Sequence, residues 1–437
     1  MKTEDIITAT ELLNTYRSQN SQPHLRTLSL DDLMDDARKS EKISGSAYDL
    51  LYMSLRYGAF FDQKWQDFYG NKEISPPLLK DYFSISFSTL MTRSAEPIEK
   101  ISNTLTEILK QKWGVGPSKL GNAFFRFVSK NKVTWENSLK TNPQQILPRA
   151  LQSRWAGSNP FLDLVSKFIA ERPKAQIQGF GISGNAVQKA SAEALSYWEK
   201  PTFESEKFFQ AMDPGSFEWV NCFFETLRPI LTQKKQIKIC DPCAAPGGKS
   251  LLLIALIHKN FPDLKIHLFA SDSKWNRVQR LSENLNSFRQ HLNEKKSLEN
   301  IHIESRLGDA REKIEALEDC DVILLDLPCS GSGTLHTRPD LIQKILPILE
   351  SKMVEPLQKE IIESVIGQTQ KNLQLPTFGI SLCSVDPEEC QSVKKTFTRL
   401  LPKYSTQEHF SLNPKENQTL LTREGISAWT LSPPYPL

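Results

Sequence analysis

QIKICDPCAAPGGKSLLLIALIHK, Gln236 to Lys259, reads as three pieces in succession. "QIKICD" is a short apolar strand. "CDPCAAPGGKS" is a turn of small residues, and "KSLLLIALIHK" has the texture of an apolar helix. A strand that feeds a helix through such a turn begins a βα unit. The same texture continues downstream. "LKIHLFASD", "IHIESRLGDA", "CDVILLD" and "FGISLCS" read as further strands, "ISAWTLS" as a last one, and "KWNRVQRLSENLNSF" as an intervening helix. Alternation of this kind predicts an α/β Rossmann-like domain over residues 236–437, with a mostly parallel sheet covered on both faces.

Upstream the pattern is different. The first ~170 residues, at a length typical of one domain, read as all-α. Tyr48, Leu51, Tyr52 and Leu55 recur at helical spacing, and so do Ile98, Ile101, Leu105, Ile108 and Leu109 after Pro97. "WGVGPSKLG" reads as punctuation and "NAFFRFVSKNK" as a short helix whose Arg126, Lys130 and Lys132 form either a basic face or an ordinary solvated surface. Residues 171–235, with "RPKAQIQGFGISGN", read as a linker or small α+β subdomain. A chain of 437 residues has room for these three parts.

Composition narrows the classes. Hydrophobic residues at 39% and charged residues at 24% are ordinary for a soluble globular protein. No apolar run approaches the ~20 residues of a membrane span, so no membrane partner is expected. The start, "MKTEDIITATELLN", carries acids and no apolar core of a signal peptide. Seven scattered cysteines argue against a disulfide framework and for a reducing, cytoplasmic setting. Cys240-Asp-Pro-Cys243 has no second pair to complete a zinc site, so no metal is expected. A net charge of +3 permits a nucleic-acid partner without demanding one.

The turn Cys243, Ala244, Ala245, Pro246, Gly247, Gly248, Lys249 lets backbone N–H groups and a helix start approach a ligand closely. It matches neither the dinucleotide fingerprint nor the full phosphate loop. Asp272 closes the next strand and is placed to accept from ribose hydroxyls. Asp309, in "GDA", is placed to accept from an adenine amino group. Each acid alone reads as a surface or helix-capping aspartate. Together with Asp326 they stand at successive strand ends beside the turn, and an adenosyl ligand without a phosphate chain, S-adenosylmethionine, fits best.

Three stretches, "DPCAAPGGKS", "LLDLPCSGSG…RPD" and "SLCSVDPEE", resemble the signatures of RNA 5-methylcytosine methyltransferases. The helical part, with "GSAYDLLYMSLRYGAFFDQKW" and "GPSKLGNAFFRFVSKN", resembles the NusB-like RNA-binding domain of the ribosomal RNA small-subunit methyltransferase B group. The chain departs from that pattern at Leu382, where the family usually has Thr, at His336-Thr337 before Arg338, and at Gly425-Ile426-Ser427. "LQLPTFG" replaces a Pro-Gly-Gly element, and an Arg-Val-Asn element is not evident in "AQIQGFGISGN".

The resemblance implies chemistry that the residues can be checked against. Carbon 5 of cytosine is a poor nucleophile until a soft thiolate adds to carbon 6. The carbon-5 proton must leave before that thiolate is expelled. By the resemblance, Cys383 is the nucleophile, Cys329 assists release, and Asp326 holds the base and borders the cofactor. Either cysteine alone reads as a buried core thiol. A base inside a duplex hides carbon 6, so the target is unpaired or flipped out. The implied partner is RNA, small-subunit ribosomal RNA first and transfer RNA second, acted on by a monomer. A non-catalytic RNA-binding ribosome assembly factor is the alternative from another class.

Overall fold

A computed structural model describes residues 2–20, 30–39, 43–93, 95–156, 162, 166, 176–183, 186–193, 208–294, 300–335, 338–350, 354–370, 374–410 and 427–433. His336, Thr337, Gly425 and Ile426 lie outside the described residues. The chain divides into two compact units, Met1–Pro173 with Leu335–Leu346, and Lys174–Thr334 with Pro347–Leu437.

The first unit is helical throughout its described residues. Its helices are α1 (Thr3–Asn20), α2 (Leu30–Lys39), α3 (Gly45–Arg56), α4 (Gly58–Tyr69), α5 (Pro77–Thr92), α6 (Ile98–Trp113), α7 (Val115–Thr141) and α8 (Arg149–Arg154). Of the residues at helical spacing, Leu51, Leu55, Ile101, Leu105, Ile108 and Leu109 are core residues, while Tyr48, Tyr52 and Ile98 are half-buried. "WGVGPSKLG" does not interrupt the fold as its glycines and proline suggest. Gly114, at φ 86°, ends α6, and α7 starts at the next residue with Pro117 in its first turn. Gly121 is there for packing. A Cβ at that position would come within 2.2 Å of Leu109 Cδ1, so glycine lets α7 lie close on α6. Lys132 also departs from expectation. Its ammonium turns inward to the carbonyls of Leu90 (2.8 Å) and Arg93 (3.4 Å) and leaves the exposed Arg126 and Lys130. Leu335–Leu346 join this unit through Tyr16, whose hydroxyl donates to the Asp340 carbonyl at 3.4 Å and whose ring lies under the Lys344 ammonium.

The second unit begins with a small antiparallel sheet, β1 (Gln176–Ser183), β2 (Ala186–Glu193) and β3 (Phe208–Ala211), in the order β2-β1-β3. Helix α9 (Pro214–Leu231) follows. Then come β4 (Gln236–Asp241), α10 (Gly248–Asn260), β5 (Lys265–Asp272), α11 (Trp275–Glu294), β6 (Ile301–Leu307) and β7 (Val322–Asp326). After α12 (Leu341–Glu350) the unit is completed by α13 (Val354–Thr369), β8 (Thr377–Leu382), α14 (Pro387–Leu400), β9 (Ser405–Phe410) and β10 (Ser427–Ser432). The seven-stranded sheet runs β6-β5-β4-β7-β8-β10-β9. Strands β4 to β8 pair in parallel, and β10 pairs antiparallel with both β8 and β9. This is the predicted Rossmann-like architecture. Strand β9, "STQEHF", escaped the sequence reading because it is a polar edge strand with no apolar alternation.

Helix α10 is apolar all round because it is buried all round: Leu251 to Ile257 are in the core. The chain leaves β4 and returns for β5 on one flank, then returns for β7 on the other. Strand order therefore reverses at β4, and a crevice opens at the carboxyl ends of β4 and β7. At that point Asp241 closes β4 at 1% exposure. It accepts from the Ser250 hydroxyl and from the Cys243 N–H (3.3 Å), tying the turn back to the strand. Burial, the dominant cause, pushes its carboxyl up to about 7, against the pull of the Ser250 hydroxyl.

Two outcomes follow for stability. Every residue of β8 is buried, and a Cβ on Gly379 would meet the Phe223 ring at 2.7 Å. That ring is itself buried and stacked on Trp219, so it has little room to give. Gly379→Ala should cost about 1–3 kcal/mol through overpacking and lower Tm by several degrees; an unchanged melting curve would refute the contact. For Asp241, the native state holds its proton up to about pH 7, whereas the unfolded chain releases it near ~4. The group's contribution to stability is thus present at low pH and lost as pH rises through that window. Asp241→Asn does not titrate. Its stability relative to wild type in urea unfolding should improve between pH ~4.5 and ~7.5, by ~4 kcal/mol at most. A difference that stays flat across that range would contradict the buried carboxyl.

Candidate active site

The cofactor-like turn is held from three sides. Ala244 N–H donates to the Ser271 carbonyl at 2.8 Å, joining the turn to β5. Gly247 N–H donates to the Ala244 carbonyl at 2.6 Å, and Gly247 adopts φ 100°, a left-handed conformation that favours glycine. A Cβ there would also meet Leu281 Cδ1 at 2.8 Å. One face of α11 supplies the remaining grip. Arg277 donates to the Ala245 carbonyl (2.6 Å) and Asn284 to the Pro246 carbonyl (2.8 Å), four residues and three residues to either side of Leu281. Gly248 and Lys249 then open α10.

Beside this turn lies a cavity of about 590 Å³, lined by Cys243, Asp272, Asp309, Asp326, Cys329 and Cys383 among others. Six of the residues singled out from sequence thus share one wall, although they come from five separate strand ends and turns. Ala244, Ala245, Pro246, Gly247 and Gly248 shape the turn behind Cys243, and Lys249 reaches the cavity's edge through Asp326. The cavity lies at the switch point, where open α/β sheets bind ligands.

The acids are not bare. Asp272, 4% exposed, accepts from the Lys274 N–H (3.2 Å) and pairs with Arg277 at 3.2 Å. Asp309 is gripped by Arg311 through Nε (3.0 Å) and a terminal nitrogen (2.7 Å), and Arg311 reaches on to Glu360 at 3.1 Å. Hydrogen bonding from Arg311 holds the Asp309 carboxyl below its ordinary range. Asp326 accepts from Lys249 at 2.6 Å on one oxygen and from Ser381 at 2.6 Å on the other. Burial alone would lower the Lys249 ammonium's pKa. The negative charges of Asp326 and then Cys383 overcome it and raise it, so Lys249 stays protonated.

The two thiols sit on adjacent turns. Leu327 N–H donates to the Ser381 carbonyl and Gly333 N–H to the Cys383 carbonyl, both at 3.1 Å, so the turn after β7 runs alongside the turn after β8. Burial pushes the Cys329 thiol well up, and negative charge on Cys383 pushes it further. Cys243 is likewise pushed up, by burial and then by Asp241. No disulfide joins the seven cysteines, and no cluster of three metal-ligating side chains occurs among the described residues. No described helix is long and apolar enough to cross a membrane.

Sequence reading missed Arg277, Asn284, Ser381 and the groups beneath the cysteine turns. Arg277 had a signal: a cation five residues after Asp272, on the first turn of the helix that leaves that strand. Ser381 had one as well, two residues before Cys383 and so on the same face of β8.

Residues 228–427 match the family described as 16S rRNA methyltransferase RsmB/F. The chain is 33% identical over 164 residues to ribosomal RNA small subunit methyltransferase B of Yersinia enterocolitica, a match covering 37% of this chain and 33% of that one. It is 25% identical over 296 residues to the probable ribosomal RNA small subunit methyltransferase B of Synechocystis sp., covering 67% and 55%. The chain thus spans about a third to a half of the length of these relatives. The crystal structure of the protein PH0851 has the same fold, with a TM-score of 0.63 over 99% of both chains at 15% identity. Through residues 228–427, this chain is similar to the family described as 16S rRNA methyltransferase RsmB/F.

Proposed function

We propose that the protein methylates carbon 5 of a cytosine in RNA, small-subunit ribosomal RNA in the first instance, with S-adenosylmethionine as methyl donor. The observation that carries this reading is the convergence of Cys329, Cys383 and Asp326 on one cavity with Asp272, Asp309 and Cys243. The cavity's volume is within the ~300–1,000 Å³ range of small-molecule sites. Its donor and acceptor set also suits the cofactor. Asp272 suits ribose hydroxyls, Asp309 suits the adenine edge, and Cys243 brings the start of the turn to the cavity wall. When bound there, S-adenosylmethionine supplies an electrophilic methyl group.

The chain's own residues do the rest. Cys383 bonds to carbon 6 of the target ring and makes carbon 5 nucleophilic. Asp326 accepts from two donors already and is suited to accept from the cytosine amino group. Lys249, protonated beside it, places a cation next to the ring and the Cys383 sulfur. A thiol with a raised pKa is, as thiolate, the stronger base. Cys329 gives up its thiol proton to solvent and, as thiolate, takes the carbon-5 proton; the freed electron pair restores the C5–C6 double bond, the C6–S bond breaks, and Cys383 leaves as thiolate. In the helical unit, the exposed Arg126 and Lys130 on α7 are suited to contact the RNA backbone. The reduced thiols this cycle needs fit a cytoplasmic protein.

Single substitutions separate the two thiols. Cys383→Ala should form no covalent bond to RNA and show no turnover. Cys329→Ala should still attack and methylate but fail to release, so it should accumulate as a protein–RNA adduct that survives denaturing electrophoresis and needs S-adenosylmethionine to build up. The reverse pattern would make Cys329 the nucleophile. No adduct in either, with no methyl transfer by the wild type, would favour an RNA-binding assembly factor.

A further inference from the structure

Beneath the two cysteine turns lies a carboxylate that the chemistry above does not use. Glu389, on the first turn of α14, is 2% exposed. Its sequence context, Asp386-Pro-Glu-Glu389, reads as a helix cap with an acid at the third position, whose side chain would reach back to the cap's own N–H. Half of that holds: Asp386 accepts from the Glu389 N–H at 3.1 Å. The other half does not. The Asp386 N–H goes instead to Ser332 (3.2 Å) and Ser384 (3.1 Å), and the Glu389 carboxylate is turned elsewhere.

It is turned onto the neighbours of both thiols. Glu389 accepts from the Ser330 N–H (3.0 Å), the Ser330 hydroxyl (2.6 Å), the Ser384 hydroxyl (2.5 Å) and the Gln358 amide (2.8 Å). Ser330 follows Cys329 and Ser384 follows Cys383. The same Gln358 amide also donates to the carbonyl of Pro328, the residue before Cys329, at 2.8 Å. Four donors converge on two oxygens, which only an acceptor-only carboxylate satisfies at both. We propose that Glu389 is a positioning residue that fixes the Cys329 thiol relative to Cys383, with Gln358 and Ser330 as its relays.

The hold is unequal, and that gives it a kinetic signature. The backbone bonds from Leu327 to Ser381 and from Gly333 to Cys383 hold both turns, but Cys383 lies one residue past β8 whereas Cys329 lies three past β7, and the Ser384 carbonyl also accepts from the Ser427 hydroxyl at 3.3 Å. The Cys329 turn receives three of the network's bonds, two at Ser330 and one at Pro328. Loss of Glu389 therefore loosens Cys329 more than Cys383. This rests on the roles proposed above, with Cys383 attacking and Cys329 releasing, so release should suffer more than attack.

The test compares the full-length wild type with Glu389→Gln, Ser330→Ala and Cys329→Ala on unmodified small-subunit ribosomal RNA transcribed in vitro. Glutamine keeps the shape but turns a donor toward donors. Misplacing a catalytic group by ~1 Å costs about 10²-fold. Glu389→Gln should thus lose on the order of 10²-fold in steady-state turnover. Its single-turnover methyl transfer should stay within a few-fold of wild type, and it should accumulate the covalent adduct as Cys329→Ala does. Ser330→Ala, which keeps the carboxylate, should show the same partition more weakly, and it decides the matter should Glu389→Gln not fold. A purely structural role would lower attack and release together without adduct, and that result in either variant overturns the proposal. An adduct in Cys329→Ala but in neither of the other two overturns it while leaving the thiol roles intact. No methyl transfer by the wild type would overturn the functional reading and this assignment with it.

Discussion

The ion pair between Lys249 and Asp326 ties the site together. Lys249 opens the helix after β4 and Asp326 ends β7, so a contact of 2.6 Å bridges the point where strand order reverses. Ser381 on β8 takes the other oxygen of Asp326. One carboxylate therefore links the glycine turn, the Cys329 turn and the strand that ends at Cys383. Both charges are largely withdrawn from water, and removing either leaves the other in a poorly solvated place. The pair sets the charge of the cavity where the chemistry is proposed.

Parallel topology explains why so few residues suffice. In a parallel sheet every carboxyl end points the same way, so one residue at or just past each strand tip builds a shared wall. Cys243, Asp272, Asp309, Asp326 with Cys329, and Cys383 stand at or just past the ends of β4, β5, β6, β7 and β8 in turn. Each tip is then held by a residue from a neighbouring element. Arg277 holds both Asp272 and the turn carbonyl at Ala245, Arg311 holds Asp309, and Glu389 holds the turns beside both thiols.

Much of this was legible in the sequence, for a physical reason. A strand buried on both faces is a run of apolar residues, and its polar end marks the crevice, so "KICD", "FASD" and "ILLD" announce both strand and site. The candidate residues at those tips could be named from sequence because position along a strand is a local property. The contacts that hold them are not local. Arg277 reaches a carbonyl 32 residues away and Glu389 a serine 59 away, and neither distance leaves a mark in periodicity. Gly121 misled in the other direction. Its glycine signals a turn, yet it serves a close helix contact, which only the neighbouring helix reveals. Strand β9 was missed because an exposed edge strand of polar residues has no pattern of its own.

The central claim is that these strand tips assemble a cytosine-C5 methyltransferase. Its most direct test is nucleoside analysis of small-subunit ribosomal RNA incubated with the full chain and methyl-labelled S-adenosylmethionine. The account expects the label in 5-methylcytidine, at a cytosine that is unpaired or can be flipped out. Label in any other nucleoside, or in a methyl group on a cytidine nitrogen, would contradict it.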